Sequence, residues 1–192
     1  ARGVRPGANP GYPVRRRFGR TGRDLPLDSR SREVQAQVGS LGALAAAAGT
    51  KLHHVKPHGA LYNTMMVDDE IMIGLAEGVA AIDPTLIFVL QATPDRAAHT
   101  DALAHTGLAL AFEAFADRRY SSDGRLQSRS LPGSVITDGD EVVRHVWGLL
   151  AGTVHTSDGM LDVDADTLCV HGDTPGAVEL LRRVRELIPA RD

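Results

Sequence analysis

Residues that could carry proton chemistry gather in one short segment of the chain, the octet 56–63, which reads KPHGALYN. Lys56 can offer positive charge to an oxyanion or a phosphate, and His58 can move a proton near neutral pH. Pro57 fixes one backbone angle, and Gly59 lets the backbone approach a ligand closely. The octet therefore predicts a polar site, although a surface lysine beside a turn histidine is the structural alternative.

A second segment with chemical potential is the octet 113–120, which reads EAFADRRY and precedes Arg129 in a polar loop. Glu113 and Asp117 offer carboxylates that nearby arginines keep ionised, as metal binding, base catalysis or amine recognition would require. Arg118 or Arg129 could hold a substrate carboxylate through two parallel hydrogen bonds. Ion pairs that only fix the loop are the structural alternative.

A third segment, HGDTPG at 171–176, joins a predicted strand to a predicted helix. His171 can exchange protons, and the backbone N–H groups at the start of the helix could bind an anion. Asp173 or Thr174 could instead satisfy those donors as a helix cap. No glycine-rich phosphate loop ending in Lys-Ser or Lys-Thr occurs in the sequence.

The other histidines and the single cysteine are interpreted as structural. His53 and His54 precede Lys56 within a predicted strand, where alternation points one ring inward and the other outward. His145 falls in a predicted helix and receives no role. Cys169 lies in an apolar strand and is interpreted as a core residue.

The elements that must position these residues alternate along the chain, a strand followed by a helix. Short apolar runs predict strands, and apolar residues at helical spacing predict helices. This alternation is typical of an α/β fold with parallel strands and crossover helices, and no change in composition marks a second domain. The predicted strands cover 3–8, 52–56, 86–91, 108–113, 134–137 and 167–171, and the predicted helices cover 28–48, 68–81, 94–105, 140–151 and 174–187.

Polar residues recur at the ends of the predicted strands. The predicted strands 3–8, 52–56, 108–113 and 167–171 each end in a polar residue or run directly into one. Parallel α/β folds bind ligands at the carboxyl ends of their strands, because these ends open on one face. We therefore expect the following side chains, remote in the chain, to surround one site: Asn9, Lys56, Glu113 and His171.

Composition argues against several classes of protein. The formal net charge is -3, whereas bulk nucleic-acid binders are usually basic. The longest apolar runs are far shorter than the roughly 20 residues that span a bilayer. The single Cys169 excludes an internal disulfide and favours a reducing compartment such as the cytoplasm. The arginine run at 15–17 is interpreted as a solvated terminus, with an anion-binding lip as the alternative.

Several separated motifs resemble the LamB/YcsF family, and the likeness extends in order over essentially all 192 residues. The resemblance implies an α/β fold of the TIM-like (β/α) barrel type, similar to the glycoside hydrolase/deacetylase fold. The motifs are GANPGYP at 7–13, VKPHGALYN at 55–63, FADRRY at 115–120, Ser128-Arg129 before Pro132-Gly133, and VHGD at 170–173.

The resemblance also implies an activity. Members of the family form the A subunit of an ATP-dependent 5-oxoprolinase, which opens the lactam of 5-oxo-L-proline to L-glutamate with ATP hydrolysis. The expected co-substrate is ATP, the expected partners are subunits B and C and the small lactam, and neither nucleic acid nor a membrane is expected as a partner. The resemblance leaves open whether the chain binds a divalent metal and whether it forms a homo-oligomer.

Two departures from the family pattern affect these expectations. Family members begin with a strand carrying Asp-Leu-Asn-Cys-Asp and a later Gly-Phe-His-Ala-Gly-Asp motif, and neither occurs here. About 60 further residues would complete a barrel of about 250. Residues 1–192 are therefore expected to form a single barrel domain that lacks roughly the first two βα units. In addition, Asn9 stands where the family has histidine.

The resemblance also assigns roles as a hypothesis. Lys56 supplies positive charge, and His58 or His171 transfers the proton. Glu113 or Asp117 orients water or the ring N–H, and an arginine holds the substrate carboxylate. The predicted catalytic residues are Lys56, His58, Glu113, Asp117, His171 and Asp173, and the predicted substrate-binding residues are Asn9, Tyr62, Asn63, Arg118 and Arg129.

Two alternative functions stay open at this point. A metal-dependent hydrolase of the deacetylase type would bind a divalent ion through His58, His171 and a carboxylate. An inactive, shortened homologue would act only as a binding partner, because an open sheet edge can recruit another chain.

Overall fold

The computed structural model describes residues 4–12, 26–173 and 176–188. It divides into two compact units, the first formed by Ala1–Leu90 with Ala98–Ala111 and the second by Gln91–Ala97 with Phe112–Asp192. The arginine run at 15–17 and the predicted helix start at 174–175 lie outside the described residues. The single barrel domain stays a prediction.

Parallel strands run through the first unit. The middle strand β2 pairs in parallel with β1 on one side and with β3 on the other. Val55 in β2 and Phe88 in β3 are fully buried, as expected for apolar residues on strands covered by other elements. The three strands are β1 (Gly7–Ala8), β2 (His54–Val55) and β3 (Ile87–Gln91), and the last residue of β3 belongs to the second unit.

The helices of the first unit include one close crossing, between α1 and α3. Gly74 and Gly78 present no side chain to α1, and Ser31 and Gln35 donate hydrogen bonds to their carbonyl oxygens at 3.2 and 3.4 Å. Asp68 begins α3 by accepting a hydrogen bond from the N–H of Ile71. The helices are α1 (Leu27–Ala47), α2 (Gly59–Met65), α3 (Asp69–Ala80) and α4 (Arg96–Leu103). The first two residues of α4 belong to the second unit, and a short 3-10 turn (Ala104–Thr106) follows this helix.

The second unit combines parallel strands, a hairpin and two helices around one apolar core. Strands β4 and β7 pair in parallel, while β5 and β6 form an antiparallel hairpin. The elements are β4 (Ala109–Phe115, of which the first three residues belong to the first unit), α5 (Gly139–Leu150), β5 (Thr153–Thr156), β6 (Gly159–Asp162), β7 (Thr167–Cys169) and α6 (Ala177–Leu187). The core contains Ala116, Ile136, Val142, Val146, Leu180 and Val184.

The structure confirms the α/β class and the parallel pairing, and it corrects several details. Residues 134–137 are not a strand, since Val135 makes only an isolated antiparallel bridge with Arg118. Helix α2 and the β5–β6 hairpin were not predicted. Both are short, and the octet 56–63, in which α2 begins, carries Gly and Pro signals that favour a loop.

Two predicted boundaries also shift, and both affect candidate site residues. Strand β4 continues to Phe115, so Glu113 lies buried inside the strand and not at its end. Helix α6 begins at Ala177 after Gly176, and no side chain caps it, so Asp173 is not its cap. Helix α1 likewise follows Pro26 without a side-chain cap. Over the described residues, no helix combines the length and apolar character needed to cross a membrane.

Candidate functional site

The pairing of β4 with β7 brings Asp117 and His171 together in the second unit. Phe115 and Cys169 are register partners at the ends of these strands, and each candidate follows its strand end by two residues. The ladder continues one step further, since the N–H of Ala116 donates to the carbonyl of Cys169 at 2.9 Å. Two residues separated by 54 positions in the chain therefore meet because their strands are neighbours.

The Asp117 carboxylate holds the histidine through both of its oxygens. The Nδ1–H of His171 donates to Oδ1 at 2.8 Å, and the backbone N–H of His171 donates to Oδ2 at 3.3 Å. Asp117 is fully buried, whereas the His171 side chain keeps 24% of its surface exposed. The Phe115 ring stacks on the imidazole, with centroids 5.6 Å apart and planes 18° apart. The imidazole is thus fixed in position, orientation and tautomer.

This arrangement suits proton transfer. A buried carboxylate on Nδ1 stabilises the imidazolium that forms when the ring takes up a proton at Nε2. The partly exposed ring gives Nε2 access to a reacting group, and the stacking keeps the ring from rotating. The carboxylate of Asp117 therefore orients the imidazole of His171, and the catalytic roles predicted for both residues stay predictions.

Two residues that received no role from the sequence hold the backbone beneath this pair. The N–H of Phe115 donates to the Tyr120 hydroxyl at 2.8 Å, and Nε2 of His145 donates to the Phe115 carbonyl at 3.1 Å. Burial raises the pKa of Tyr120, and burial lowers the pKa of His145 despite its hydrogen bond. The sequence does contain a signal for the position of His145. Its helical spacing from the buried Val142 and Val146 indicates that the His145 ring points toward the core.

The other candidates of the second unit occupy different environments. Buried Arg118 donates from Nε to the carbonyl of Ser134 at 3.4 Å and from a terminal nitrogen to the carbonyl of Gln127. Arg129 and Asp173 are exposed, on the loop after β4 and on the turn after β7. Their substrate-binding or catalytic roles, and that of Glu113, stay predictions.

The candidates of the first unit lie along β1 and β2. The N–H groups of Lys56 and His58 donate to the carbonyls of Ala8 and Pro10 at 2.8 and 2.9 Å, so the parallel pairing continues past both strands. This register sets Asn9 beside Lys56.

Helix α2 follows directly and adds two further candidates. The ring of buried Tyr62 lies 6.0 Å from the Lys56 ammonium, within range of a cation–π contact. Asn63 is exposed on the same helix. Lys56 therefore has Asn9 and Tyr62 as neighbours, and the strand ends predicted the first of these two contacts.

The two groups of candidates belong to different units, so the convergence of Asn9, Lys56, Glu113 and His171 on one site stays a prediction. In the part of the chain that the structure describes, no group of three His, Cys, Asp or Glu side chains could hold a metal ion. The metal-binding set of His58, His171 and a carboxylate therefore gains no support.

Comparisons with known proteins agree with the motifs. The sequence profile of the LamB/YcsF family matches residues 1–192. A protein of Heliobacterium modesticaldum, named as the A subunit of 5-oxoprolinase, is 43% identical over 185 residues, which cover 95% of this chain and 72% of the relative. A protein of Pseudomonas syringae pv. tomato, likewise named as a 5-oxoprolinase A subunit, is 41% identical over 98% of this chain and 73% of its own length.

A solved structure extends the likeness to the fold. The crystal structure of the lactam utilization protein from Thermus thermophilus superposes with a TM-score of 0.84 at 41% identity, covering 96% of this chain and 73% of that chain. This superposition supports the predicted α/β fold. It also shows that the chain matches only part of the related structure. With the profile match over the whole sequence, these findings show that the chain belongs to the LamB/YcsF family.

Proposed function

We propose that this chain acts in the ATP-dependent opening of the 5-oxo-L-proline lactam to L-glutamate, as the A subunit of a 5-oxoprolinase with subunits B and C. The relatives, which are named as 5-oxoprolinase A subunits and as a lactam utilization protein, support a role in lactam utilization. ATP and the two partner subunits come from the family resemblance, and the cytoplasmic location comes from the single Cys169. The observation that carries the proposal is the Asp117–His171 pair, which supplies a fixed proton carrier.

The reaction needs such a carrier because an unstrained lactam resists attack by water. Transfer of the γ-phosphoryl group of ATP to the lactam oxygen releases ADP and makes the ring carbon open to attack. His171 then accepts a proton at Nε2 from the attacking water, and a proton is returned to the ring nitrogen as the C–N bond breaks. A second water replaces the phosphate, so one ATP and two waters are consumed for each glutamate formed.

The remaining roles follow from charge and exposure. Lys56 supplies positive charge to a phosphoryl group or oxyanion. Glu113 takes the role of orienting water or the ring N–H, because both oxygens of Asp117 are engaged by His171. Of the two arginines, Arg129 is the exposed one, and we assign it the substrate carboxylate.

The test uses the enzyme assembled with its partner subunits. His171→Ala should lower kcat roughly 10²- to 10⁴-fold, the range of general acid–base catalysis, and Lys56→Ala should also reduce turnover. Arg182→Ala, which removes only an exposed ion pair with Glu179 on α6, should leave kcat unchanged. Unchanged turnover in both Lys56→Ala and His171→Ala would remove the assignment.

Two outcomes would favour the alternatives. A divalent ion retained after dialysis and required for turnover would favour the metal-dependent hydrolase. Binding of the partner subunits without any turnover would favour an inactive homologue that serves only as a binding partner.

A further inference from the structure

A row of polar residues runs along one face of β2 and its continuation in the first unit. His54, Lys56 and His58 are all partly exposed, and they alternate with the buried Val55 and Pro57. Side chains of a strand point to opposite faces in turn, so the three polar residues lie on the same face, about 7 Å apart along the chain. His54 is thus as close to Lys56 as His58 is, although only His58 belongs to the predicted site.

Two glycines make room for the imidazoles. A β-carbon at Gly7 would lie 2.0 Å from Nε2 of His54, and a β-carbon at Gly11 would lie 2.4 Å from Nε2 of His58. Any side chain at either position would displace the ring. Each imidazole therefore covers the backbone of a glycine in the neighbouring chain segment, and the two rings flank Lys56 in the same way.

The hydrogen bonds of His54 define its tautomer. Arg5 can only donate, so its guanidinium donates to Nε2 of His53 at 3.0 Å and that nitrogen carries no proton. The proton of a neutral His53 is then on Nδ1, which donates to Nδ1 of His54 at 3.4 Å. Nδ1 of His54 is therefore an acceptor, and the His54 proton is on Nε2.

The charge state of His54 agrees with this assignment. Burial is the largest cause that lowers the pKa of His54 below its ordinary value, and electrostatic coupling to His53 and to the charged Lys56 acts in the same direction. The ring is accordingly neutral near pH 7, so that it has one donor and one acceptor nitrogen. Its donor, Nε2–H, lies on the Gly7 side of the same strand face that carries Lys56.

We infer that His54 is a ligand-binding residue whose Nε2–H donates to an anionic oxygen of the molecule that Lys56 attracts, with Arg5 and His53 fixing the tautomer. The inference rests on the proposed function only for the identity of the ligand. The anionic oxygen can belong to the carboxylate of 5-oxoproline or to a phosphate, and both present the same acceptor chemistry to Nε2–H.

Nitrogen-15 NMR of the histidine rings in the full chain tests the tautomer and the contact together. The His54 resonances are identified by their loss in His54→Gln. At pH 7.5 we expect the Nε2–H tautomer, and a shift of the Nε2 resonance on titration with 5-oxoproline or with inorganic phosphate in separate samples. A proton on Nδ1, or an Nε2 resonance that neither compound moves, would overturn the inference.

A set of variants separates binding from packing. A glutamine amide can donate from near the position of Nε2, whereas the shorter asparagine cannot reach it. His54→Gln should keep the Kd of the compound that binds within about threefold, and His54→Asn should weaken it roughly 10- to 100-fold, the effect of losing a hydrogen bond to a charged group. Equal affinity in the two variants would contradict the inference.

Gly7→Ala provides an independent test because its methyl group would occupy the position of Nε2. It should weaken binding at least about tenfold, whereas Gly39→Ala, at a helical glycine with open space around it, should not. Binding of Gly7→Ala equal to wild type would count against the inference. A chain that shows the NMR shift but releases no glutamate when it is assembled with its partner subunits and supplied with ATP would retain the inference and refute the proposed function.

Discussion

Asp117 is the residue that positions His171 in the second unit, because its two oxygens hold both the backbone and the ring of His171. A buried carboxylate in this position also stabilises the imidazolium electrostatically. Asp117 and His171 could be predicted as candidates from the motifs FADRRY and VHGD. The contact between the two side chains could not be predicted, because it depends on which strands are neighbours.

Replacing Asp117 by asparagine tests the orientation of the ring. The amide cannot stabilise the imidazolium and can favour the wrong tautomer, so kcat should fall roughly 10²- to 10⁴-fold with KM changed little. Steady-state kinetics of the assembled enzyme measure both constants. Asp158→Asn, on the exposed turn of the β5–β6 hairpin, is the matched control and should behave as wild type. A large rise of KM with unchanged kcat in Asp117→Asn would assign the carboxylate to substrate binding.

His145 predicts a pH dependence of stability. Burial keeps its pKa in the folded chain below the ordinary value of about 6.5. Below that pH the unfolded chain takes up a proton that the folded chain does not, so the free energy of unfolding should fall as the pH falls from about 7 to 5. His54 acts in the same direction.

His145→Gln should flatten this dependence, because it removes one of the two groups. Urea unfolding at several pH values measures the effect. The control is Gly39→Ala, which removes no ionisable group and should keep the wild-type slope. Identical slopes in His145→Gln and wild type would exclude His145 as a contributor.

Among the elements, the α1–α3 crossing depends most clearly on single residues. A methyl group at Gly78 would lie 2.4 Å from Ser31 Oγ, and one at Gly74 would lie 2.8 Å from a Leu27 methyl carbon. Gly78→Ala should therefore lower the free energy of unfolding by about 0.5–2 kcal/mol, the usual cost of overpacking less the gain in helix propensity.

Gly39→Ala on α1 is the matched control, because nothing lies within 4 Å of the position of its β-carbon. It should raise the free energy of unfolding by about 0.5–1 kcal/mol, since alanine favours a helix over glycine. Urea unfolding of both variants measures the difference. A stabilised Gly78→Ala would contradict the close crossing.

Elements with strong periodicity could be predicted from the sequence, and short ones could not. Helices α3 and α5 agree with prediction within a residue or two, since each has a regular apolar stripe and an aspartate before its first turn. Helix α2 has only seven residues, and it follows Pro57 and begins at Gly59, two residues that favour turns. The β5–β6 hairpin has a mixed polar pattern that gives no strand signal.

Over the whole molecule, the described part of the chain contains two sets of candidate polar residues with different chemical character. The second unit carries a buried carboxylate with an oriented histidine, and the first carries Lys56 between two histidines on one strand face. Family membership could be predicted from the separated motifs, because these motifs are distinctive in sequence and keep their order along the chain. The role of His54 could not, because it depends on the absence of a side chain at Gly7 in the neighbouring strand.

The most direct test of the proposed function is the release of glutamate and ADP from 5-oxoproline and ATP by the enzyme assembled from this chain and its partner subunits. We expect equal amounts of the two products, no glutamate without ATP, and loss of both products when His171 is replaced by alanine. Glutamate formed without ATP, or formed at the wild-type rate by the His171→Ala enzyme, would contradict it.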